Sequence, residues 1–186
     1  LSPGTKCAME HGGVGSVIID KKTNLKKILP SILRGAFYHA GQVCVSIQKV
    51  IIHKDLVDQF TLMVKDSIKK VKIGDPRDIN TDVGPLIRPS EVIRVDKVVK
   101  RAIKDGAELI CGGVIKSKTT YECTVLKDPK ETSEISKCEI FGPVLSIYSY
   151  SLIDEAISMA NHKEYSFQSS IYTKNIDVAM LCFERL

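Results

Sequence analysis

A cysteine at position 44 directly follows Gly41-Gln42-Val43, at the end of an apolar helical pattern and just before a β-rich segment. A cysteine attacks an electrophile as its thiolate, and it therefore needs exposure and help from nearby dipoles or positive charge. Gly41 lets the backbone approach another segment closely, and a backbone N–H near the thiol can stabilise an oxyanion. This setting favours a nucleophile at Cys44, although a single cysteine is more often a small buried apolar residue.

Glu10 is a second candidate for chemistry, because it lies between Ala8-Met9 and the glycine pair Gly12-Gly13. We expect it at a strand end that faces a cleft, since α/β folds place their sites outside the carboxyl ends of the strands. Partial burial there would raise the pKa of the carboxylate toward the range of a general base. Taken alone, Glu10 is more simply interpreted as a surface glutamate.

The third candidate stretch is "CEIFGPVLSIYSY", in which Glu139 and Phe141 precede Gly142-Pro143 and an apolar segment. The Gly-Pro pair indicates a rigid turn that holds an acidic side chain and an aromatic ring at a ligand. A carboxylate suits ribose hydroxyls, and a ring suits a flat heterocycle. The alternative is a plain turn before a strand, with Phe141 in the core.

Other possible motifs are weaker. "GGVGSVI" fails as a dinucleotide fingerprint, because Ile18 stands where the third glycine is needed and the segment leads into a strand pattern. The four histidines show no ligand spacing. His39 alone is close to Cys44 in sequence, and a histidine packed at a helix end is favoured over a base for the thiol.

Composition narrows the class of protein. The 186 residues suffice for one domain with a substantial core, and 44% apolar with 26% charged residues is ordinary for a soluble protein. No apolar run approaches the roughly 20 residues of a membrane span, and no signal peptide is visible. The net charge of +5 is spread out and only 6% of residues are aromatic, which argues against a nucleic-acid partner. Six cysteines without zinc spacing or disulfide density indicate no metal site and free thiols in a reducing cytoplasm.

Strand and helix patterns alternate along the chain, which predicts an α/β fold with an open, twisted, mostly parallel sheet flanked by helices. Pro30 should kink its helix or lie near a boundary. The predicted strands are 16–20, 48–54, 107–113, 144–150 and 167–173, with one more short strand within 114–138. The predicted helices are 23–38, 55–72, 89–105 and 152–161, and a last one begins at 175.

Taken together, the three stretches resemble the aldehyde dehydrogenase superfamily. "EHGG" at Glu10 matches the family's glutamate motif, "GQVC" at Cys44 matches its nucleophile motif, and "EIFGPV" at Glu139 matches its E-x-F-G-P motif. "GDPRDINTDVGPLI", "DGAELICGG" and "DEAISMAN" match further family stretches in the right order. The resemblance covers nearly the whole chain and implies the fold of the family's catalytic domain.

The resemblance also implies roles for individual residues. Cys44 would be the nucleophile, with its backbone N–H as half of an oxyanion hole, and Glu10 would activate the water that hydrolyses a thioester. Glu139 would hold the nicotinamide-side ribose of NAD or NADP, with Phe141 beside the nicotinamide and Gly12 close to the cofactor. The implied reaction is oxidation of a small-molecule aldehyde to a carboxylic acid.

Residues 1–186 are interpreted as a single catalytic domain of a longer chain. The sequence opens without a methionine and stops inside a helical pattern, and the family's N-terminal cofactor-binding domain and C-terminal oligomerisation strand have no counterpart in it. The choice between NAD and NADP rests with that cofactor domain. We therefore expect the isolated fragment to be inactive and the parent protein to be a homo-oligomer.

Three alternatives stay open at this point. A CoA-acylating dehydrogenase would use a thiol in place of water and has less need of a base at Glu10. A cysteine hydrolase or acyltransferase would need a histidine within hydrogen-bond reach of Cys44. A non-catalytic binding or assembly domain would lack a reactive thiol.

Overall fold

A computed structural model describes residues 2–163 and 165–186. Strands and helices alternate in it as the hydrophobic patterns predict. The strands are β1 (Gly15–Ile19), β2 (Ile47–His53), β3 (Glu108–Cys111), β4 (Thr124–Lys127), β5 (Val144–Tyr150) and β6 (Ser169–Tyr172). The helices are α1 (Leu25–Phe37), α2 (Lys54–Ile68), α3 (Pro89–Lys104), α4 (Glu134–Lys137), α5 (Ile153–Asn161) and α6 (Ile176–Arg185), with a short 3₁₀ turn at Tyr38–Gly41 after α1.

The six strands form one sheet in the order β3-β4-β5-β2-β1-β6. All neighbouring pairs are parallel except β3 with β4 at one edge, which is antiparallel. The central strands are buried along almost their whole length, as expected when helices cover both faces of a parallel sheet. The predicted α/β fold with a mostly parallel sheet is confirmed.

The core lies on both faces of this sheet, because successive strand residues point to opposite sides. Val50 and Ile52 of β2 belong to the larger cluster, to which α1, α2 and α3 contribute. Ile51 between them belongs to a smaller cluster with side chains of α5 and α6. The β2 segment therefore contributes to two separate apolar layers.

Pro30, which was expected to kink its helix or to lie near a boundary, lies inside helix α1. Proline lacks the N–H that would pair with the carbonyl of Lys26. Both Pro30 and Lys26 are exposed, so the lost hydrogen bond lies at the solvent side of the helix. The buried face of α1 is left to apolar side chains such as Ile32.

Two further observations concern classes of site. No helix within the described residues has both the length and the apolar character needed to cross a membrane. The described part of the chain also contains no group of three or more His, Cys, Asp or Glu side chains that could hold a metal ion.

Candidate active site

The three candidate stretches meet at one edge of the sheet because they enter neighbouring strands. The Glu10 stretch leads into β1, the Cys44 stretch into β2, and the Glu139 stretch into β5, and these strands are adjacent in the order β5-β2-β1. Loops that enter parallel strands all lie at the amino ends of those strands. The expectation of a site at the carboxyl ends is therefore wrong, because each motif precedes its strand rather than following it.

Cys44 lies at the corner of a tight turn. The Ser46 N–H donates to the Val43 carbonyl at 2.9 Å, which closes the turn directly before β2. The Cys44 side chain is half-buried, and its thiol is free. The turn therefore presents the sulfur at the amino edge of the sheet instead of enclosing it in either core cluster.

Gly41 holds the cysteine turn against the stretch that carries Glu139. Its φ of 71° lies in the left-handed region, and a Cβ there would lie 2.1 Å from the carbonyl oxygen of Gly142. Only glycine permits both this backbone angle and this approach. The close approach predicted for Gly41 is thus confirmed, and its partner is the Gly-Pro turn of the third motif.

Gln42 fixes the same turn to a second loop. Its Nε2 donates to the carbonyls of His39 at 3.0 Å and Pro85 at 3.2 Å, and its Oε1 accepts from the Ile87 N–H at 2.9 Å. The sequence identified Gln42 only as part of a motif and assigned it no function. The signal for this anchoring role in the sequence is an amide side chain, which offers both N–H donors and an acceptor, two residues before a candidate nucleophile.

Glu139 lies directly against Gly12. A Cβ at Gly12 would be 2.2 Å from Glu139 Oε2, so only glycine leaves room for the carboxylate. Burial raises the pKa of Glu139, and the backbone N–H of Gly13 acts in the opposite direction. Glu139 Oε1 is buried and has no hydrogen-bond partner within the described residues. Two of the three residues predicted to serve the cofactor, Glu139 and Gly12, are therefore in contact.

Phe141 is not part of the core. It is 43% exposed, and its φ of 49° is a left-handed angle that a bulky residue rarely adopts. The alternative of a plain turn with Phe141 packed inside is wrong. Both Phe141 and Glu139 line a small cavity that also includes Gly41, Ser46 and Gly13, and strained backbone of this kind is frequent at ligand sites.

Glu10 lies on the extended segment before β1, and its side chain is exposed. It makes no hydrogen bond or ion pair with any other described residue. The partial burial expected at Glu10 is not found, because glycines and an exposed histidine follow it and no apolar element covers it. Its role as a base for water stays a prediction.

A fourth segment, before β6, completes the amino edge. The Tyr165 ring stacks on His11 with ring centres 4.4 Å apart, and the Val14 N–H donates to the Tyr165 carbonyl at 3.3 Å. Lys163 Nζ donates to the Val14 carbonyl at 2.6 Å. The sequence did not identify this segment as part of the site, since nothing local marks its contact with residues about 150 positions earlier.

No histidine of the described part of the chain forms a hydrogen bond with Cys44. His39, the nearest in sequence, is exposed at a φ of 49°, and its ring lies 4.0 Å from that of Tyr38. A cysteine hydrolase needs a base within hydrogen-bond reach of the nucleophile. The geometry of the described residues therefore does not favour that alternative.

Comparison with known proteins identifies the family. The model of the aldehyde dehydrogenase family matches residues 2–186. The chain belongs to the aldehyde dehydrogenase family. One aldehyde dehydrogenase relative, the lactaldehyde dehydrogenase of Methanococcus maripaludis, is 34% identical over 181 residues, which are 97% of this chain and 38% of that protein.

Solved structures of aldehyde dehydrogenases show the same fold. Glyceraldehyde-3-phosphate dehydrogenase GapN from Methanocaldococcus jannaschii, complexed with NADP, superposes with a TM-score of 0.90 at 34% identity, over 94% of this chain and 38% of that one. The NAD-dependent aldehyde dehydrogenase from Sinorhizobium meliloti gives a TM-score of 0.90 at 30% identity, over 94% and 35%. The present chain thus spans a little over a third of the length of its relatives.

Proposed function

We propose that this chain carries the catalytic cysteine region of an NAD- or NADP-dependent aldehyde dehydrogenase, which oxidises an aldehyde to a carboxylic acid. One observation carries the proposal: Gly41 packs the Cys44 turn against the Gly142 carbonyl, so the nucleophile lies beside the loop of Glu139 and Phe141. This chemistry requires a soft nucleophile, a base and a positioned acceptor for hydride.

The residues present fit a nicotinamide nucleotide. Glu139 Oε1 is buried without a partner, and the Gly12 backbone leaves the space that a side chain would fill. Glu139 would accept hydrogen bonds from the ribose hydroxyls, and Phe141 would lie beside the nicotinamide ring. The bound nicotinamide would supply the acceptor for the hydride that leaves the substrate.

Cys44 performs the covalent steps in this proposal. Its thiolate adds to the carbonyl carbon of the aldehyde, and the carbonyl oxygen becomes an oxyanion that the Cys44 backbone N–H stabilises. Collapse of this adduct expels hydride and leaves an acyl thioester on Cys44. Water then attacks the thioester carbon, the sulfur leaves as thiolate, and the carboxylic acid is released.

Glu10 is the proposed base for the water. It takes the proton of the attacking water and returns it to solvent after the product leaves. Its exposed position gives it access to bulk water, and its extended segment adjoins the Gly12 contact with Glu139. A CoA-acylating enzyme would transfer the acyl group to a thiol instead, and it would not depend on Glu10.

Further observations support proposals about the whole protein's substrate, location and assembly. Lactaldehyde is the substrate to test first, because the Methanococcus maripaludis relative bears that name. All six cysteines are free thiols, which supports a reducing cytoplasm. Homo-oligomerisation of the parent protein is inferred from the family resemblance alone.

An activated ester tests Cys44 and Glu10 in this chain without a nicotinamide. p-Nitrophenyl acetate delivers the acyl group to a thiolate directly, so acylation and hydrolysis are observed without hydride transfer. We expect acetylation at Cys44, seen by peptide mapping, and none in Cys44→Ser. Glu10→Gln should acetylate normally but release acetate at least about tenfold more slowly.

The outcomes separate the alternatives. Faster release on addition of CoA, with no effect of Glu10→Gln, would favour the CoA-acylating enzyme. Release that depends on His39 would favour a hydrolase, for which His39→Ala is the matched variant. Acetylation spread over the exposed Cys7 and Cys138 with Cys44 unmodified would reject the proposed nucleophile.

A further inference from the structure

Gln48 is a buried amide at the second position of β2, four residues after Cys44. It is 6% exposed, and it lines the small cavity that Glu139 also lines. A buried amide needs partners for its N–H donors and its carbonyl oxygen. All the partners of Gln48 lie on the segment that carries Glu139.

The side chain of Gln48 forms hydrogen bonds with backbone groups on both sides of Glu139 in the sequence. Its Nε2 donates to the carbonyls of Ile135 at 3.0 Å and Cys138 at 2.8 Å, and its Oε1 accepts from the Ile140 N–H at 2.8 Å. The Cys138 carbonyl and the Ile140 N–H belong to the two planar peptide groups that flank the Glu139 Cα. One side chain therefore holds both peptide planes that determine where Glu139 points.

The opposite side of the same segment is also held. Arg94 Nη2 donates to the Ile140 carbonyl at 2.5 Å, and Arg94 Nε donates to Glu91 at 2.8 Å. Ile140 thus has its N–H bound from β2 and its carbonyl bound from α3. The hydrogen bonds from Gln48 join the Glu139 segment to β2, the strand that follows Cys44.

We propose that Gln48 is a positioning residue for the nicotinamide-side ribose: by holding both peptide groups of Glu139, it aims that carboxylate at the cleft beside Cys44. The inference rests on the proposed function of Glu139. Gln48 touches no reacting atom, and it acts through Glu139 alone. Its removal should change nucleotide binding before it changes the chemistry at the thiol.

Two substitutions at position 48 distinguish the effect of the side chain's hydrogen bonds from the effect of its shape. Gln48→Met keeps the length of the side chain and removes all three hydrogen bonds. Gln48→Glu keeps the shape, but an ionised carboxylate faces the carbonyl oxygens of Ile135 and Cys138. A protonated Glu carries one O–H donor and one acceptor, so acid should restore part of the hold.

Amide hydrogen exchange of the 186-residue chain measures that hold directly. In Gln48→Met we expect protection of the Ile140 amide to fall at least about tenfold relative to amides of β5. In Gln48→Glu the Ile140 amide should lose protection to a similar extent near neutral pH and regain part of it in mild acid. Val64→Ala leaves a cavity beside α2 and is the control for a general loss of stability. It should lower the protection of the Ile140 amide and of the β5 amides by the same factor. Unchanged Ile140 protection in Gln48→Met would overturn the proposal.

Binding of nicotinamide mononucleotide supplies the second readout, followed by chemical shifts at Gly12, Glu139 and Phe141. We expect the wild-type chain to respond at these residues, and Gln48→Met to need at least about tenfold more nucleotide, since one lost positioning contact is worth about that factor. A responsive wild type with unchanged affinity in Gln48→Met overturns this inference alone. A wild type that does not respond overturns the proposed role of Glu139 as well.

Discussion

At the scale of single residues, burial raises the pKa of some of the six thiols and leaves others exposed. Burial raises the pKa of Cys123 to about 12, and it also raises the pKa values of Cys111 and Cys182. A higher thiol pKa leaves less thiolate near neutral pH, and the thiolate is the reactive form. The competitors of Cys44 for a thiol reagent are therefore the exposed Cys7 and Cys138.

We predict that Cys44 is the most reactive thiol of the chain. It lies in a tight turn at the amino edge of the sheet, whereas Cys7 and Cys138 are exposed and lie outside the strands and helices. Brief treatment with iodoacetamide near neutral pH, followed by peptide mapping, measures the order of labelling. Preferential labelling of Cys138 while Cys44 stays unmodified would contradict the prediction, and Cys44→Ser controls for labelling at the other cysteines.

The raised pKa of Glu139 makes a second prediction. The folded state binds this proton more tightly than the unfolded chain, whose carboxyl titrates near 4.5. The free energy of unfolding should therefore be unaffected by this group in acid and should fall as pH rises through the folded pKa. Gln at position 139 cannot ionise, so the stability of Glu139→Gln relative to the wild type should be greater near neutral pH than near about pH 4.

Glu91 provides the matched control with the opposite sign. Its hydrogen bond with Arg94 lowers its pKa, so its contribution to stability is present above the unfolded pKa and is lost as pH falls through the folded one. Glu91→Gln should thus be less stable than the wild type near neutrality, with a difference that shrinks in acid. Urea midpoints of both variants at the two pH values test this, and a Glu139→Gln effect independent of pH would contradict the assignment.

At the scale of elements, the site depends on the order of strands. The loops before β1, β2 and β5 meet because these strands are neighbours and run parallel, although up to 129 residues separate Glu10 from Glu139. Single glycines then set how closely the loops approach. Gly41 against Gly142 and Gly12 against Glu139 are the two contacts that join them.

Gly41→Ala should destabilise the chain by about 2–4 kcal/mol, because a left-handed backbone angle and a Cβ placed 2.1 Å from a carbonyl oxygen both oppose it. The Cys44 turn should move away from Phe141 as a result, and labelling of Cys44 should change. Gly84→Ala is the matched control, since its nearest neighbour would be Pro76 Cβ at 3.7 Å, and its effect should stay within about 0.5 kcal/mol. Equal urea midpoints for the two variants would refute the packing argument.

At the scale of the whole molecule, the chain spans 38% of the Methanococcus maripaludis relative. The resemblance assigns the adenosine-binding residues and a second oxyanion-hole donor to parts of the family outside these 186 residues. Loss of one such donor alone typically costs about 10²–10³ in rate. The 186 residues contribute a folded sheet with Cys44 at its amino edge.

We therefore predict that the purified 186-residue chain does not form NADH at an appreciable rate from lactaldehyde and NAD. Absorbance of NADH measures this, with a full-length lactaldehyde dehydrogenase as the positive control. The same preparation should still be acylated at Cys44 by p-nitrophenyl acetate, which shows that the thiol is intact. Sustained NADH formation that disappears in Cys44→Ser would contradict the prediction.

The amino-acid sequence by itself determined the family, the alternation of strands and helices, and the candidate catalytic and cofactor-binding residues. The motifs around Glu10, Cys44 and Glu139 are local, and the apolar periods of β2 and β5 are local too, so no knowledge of packing was needed to find them. The 144–150 strand was predicted with its observed bounds. Local propensity does not show which side of a helix faces solvent, so the sequence left open whether Pro30 lies inside its helix or near a boundary.

The tertiary structure alone decided which edge of the sheet carries the site and what holds it together. The strand order puts the entering loops of β1, β2 and β5 side by side, whereas the sequence pattern leaves the order of strands open. Gln48 and Ile140 are 92 positions apart, and Gln42 and Pro85 are 43 apart. A side-chain hydrogen bond has no sequence period, so such long-range anchors become visible only when the chain is folded.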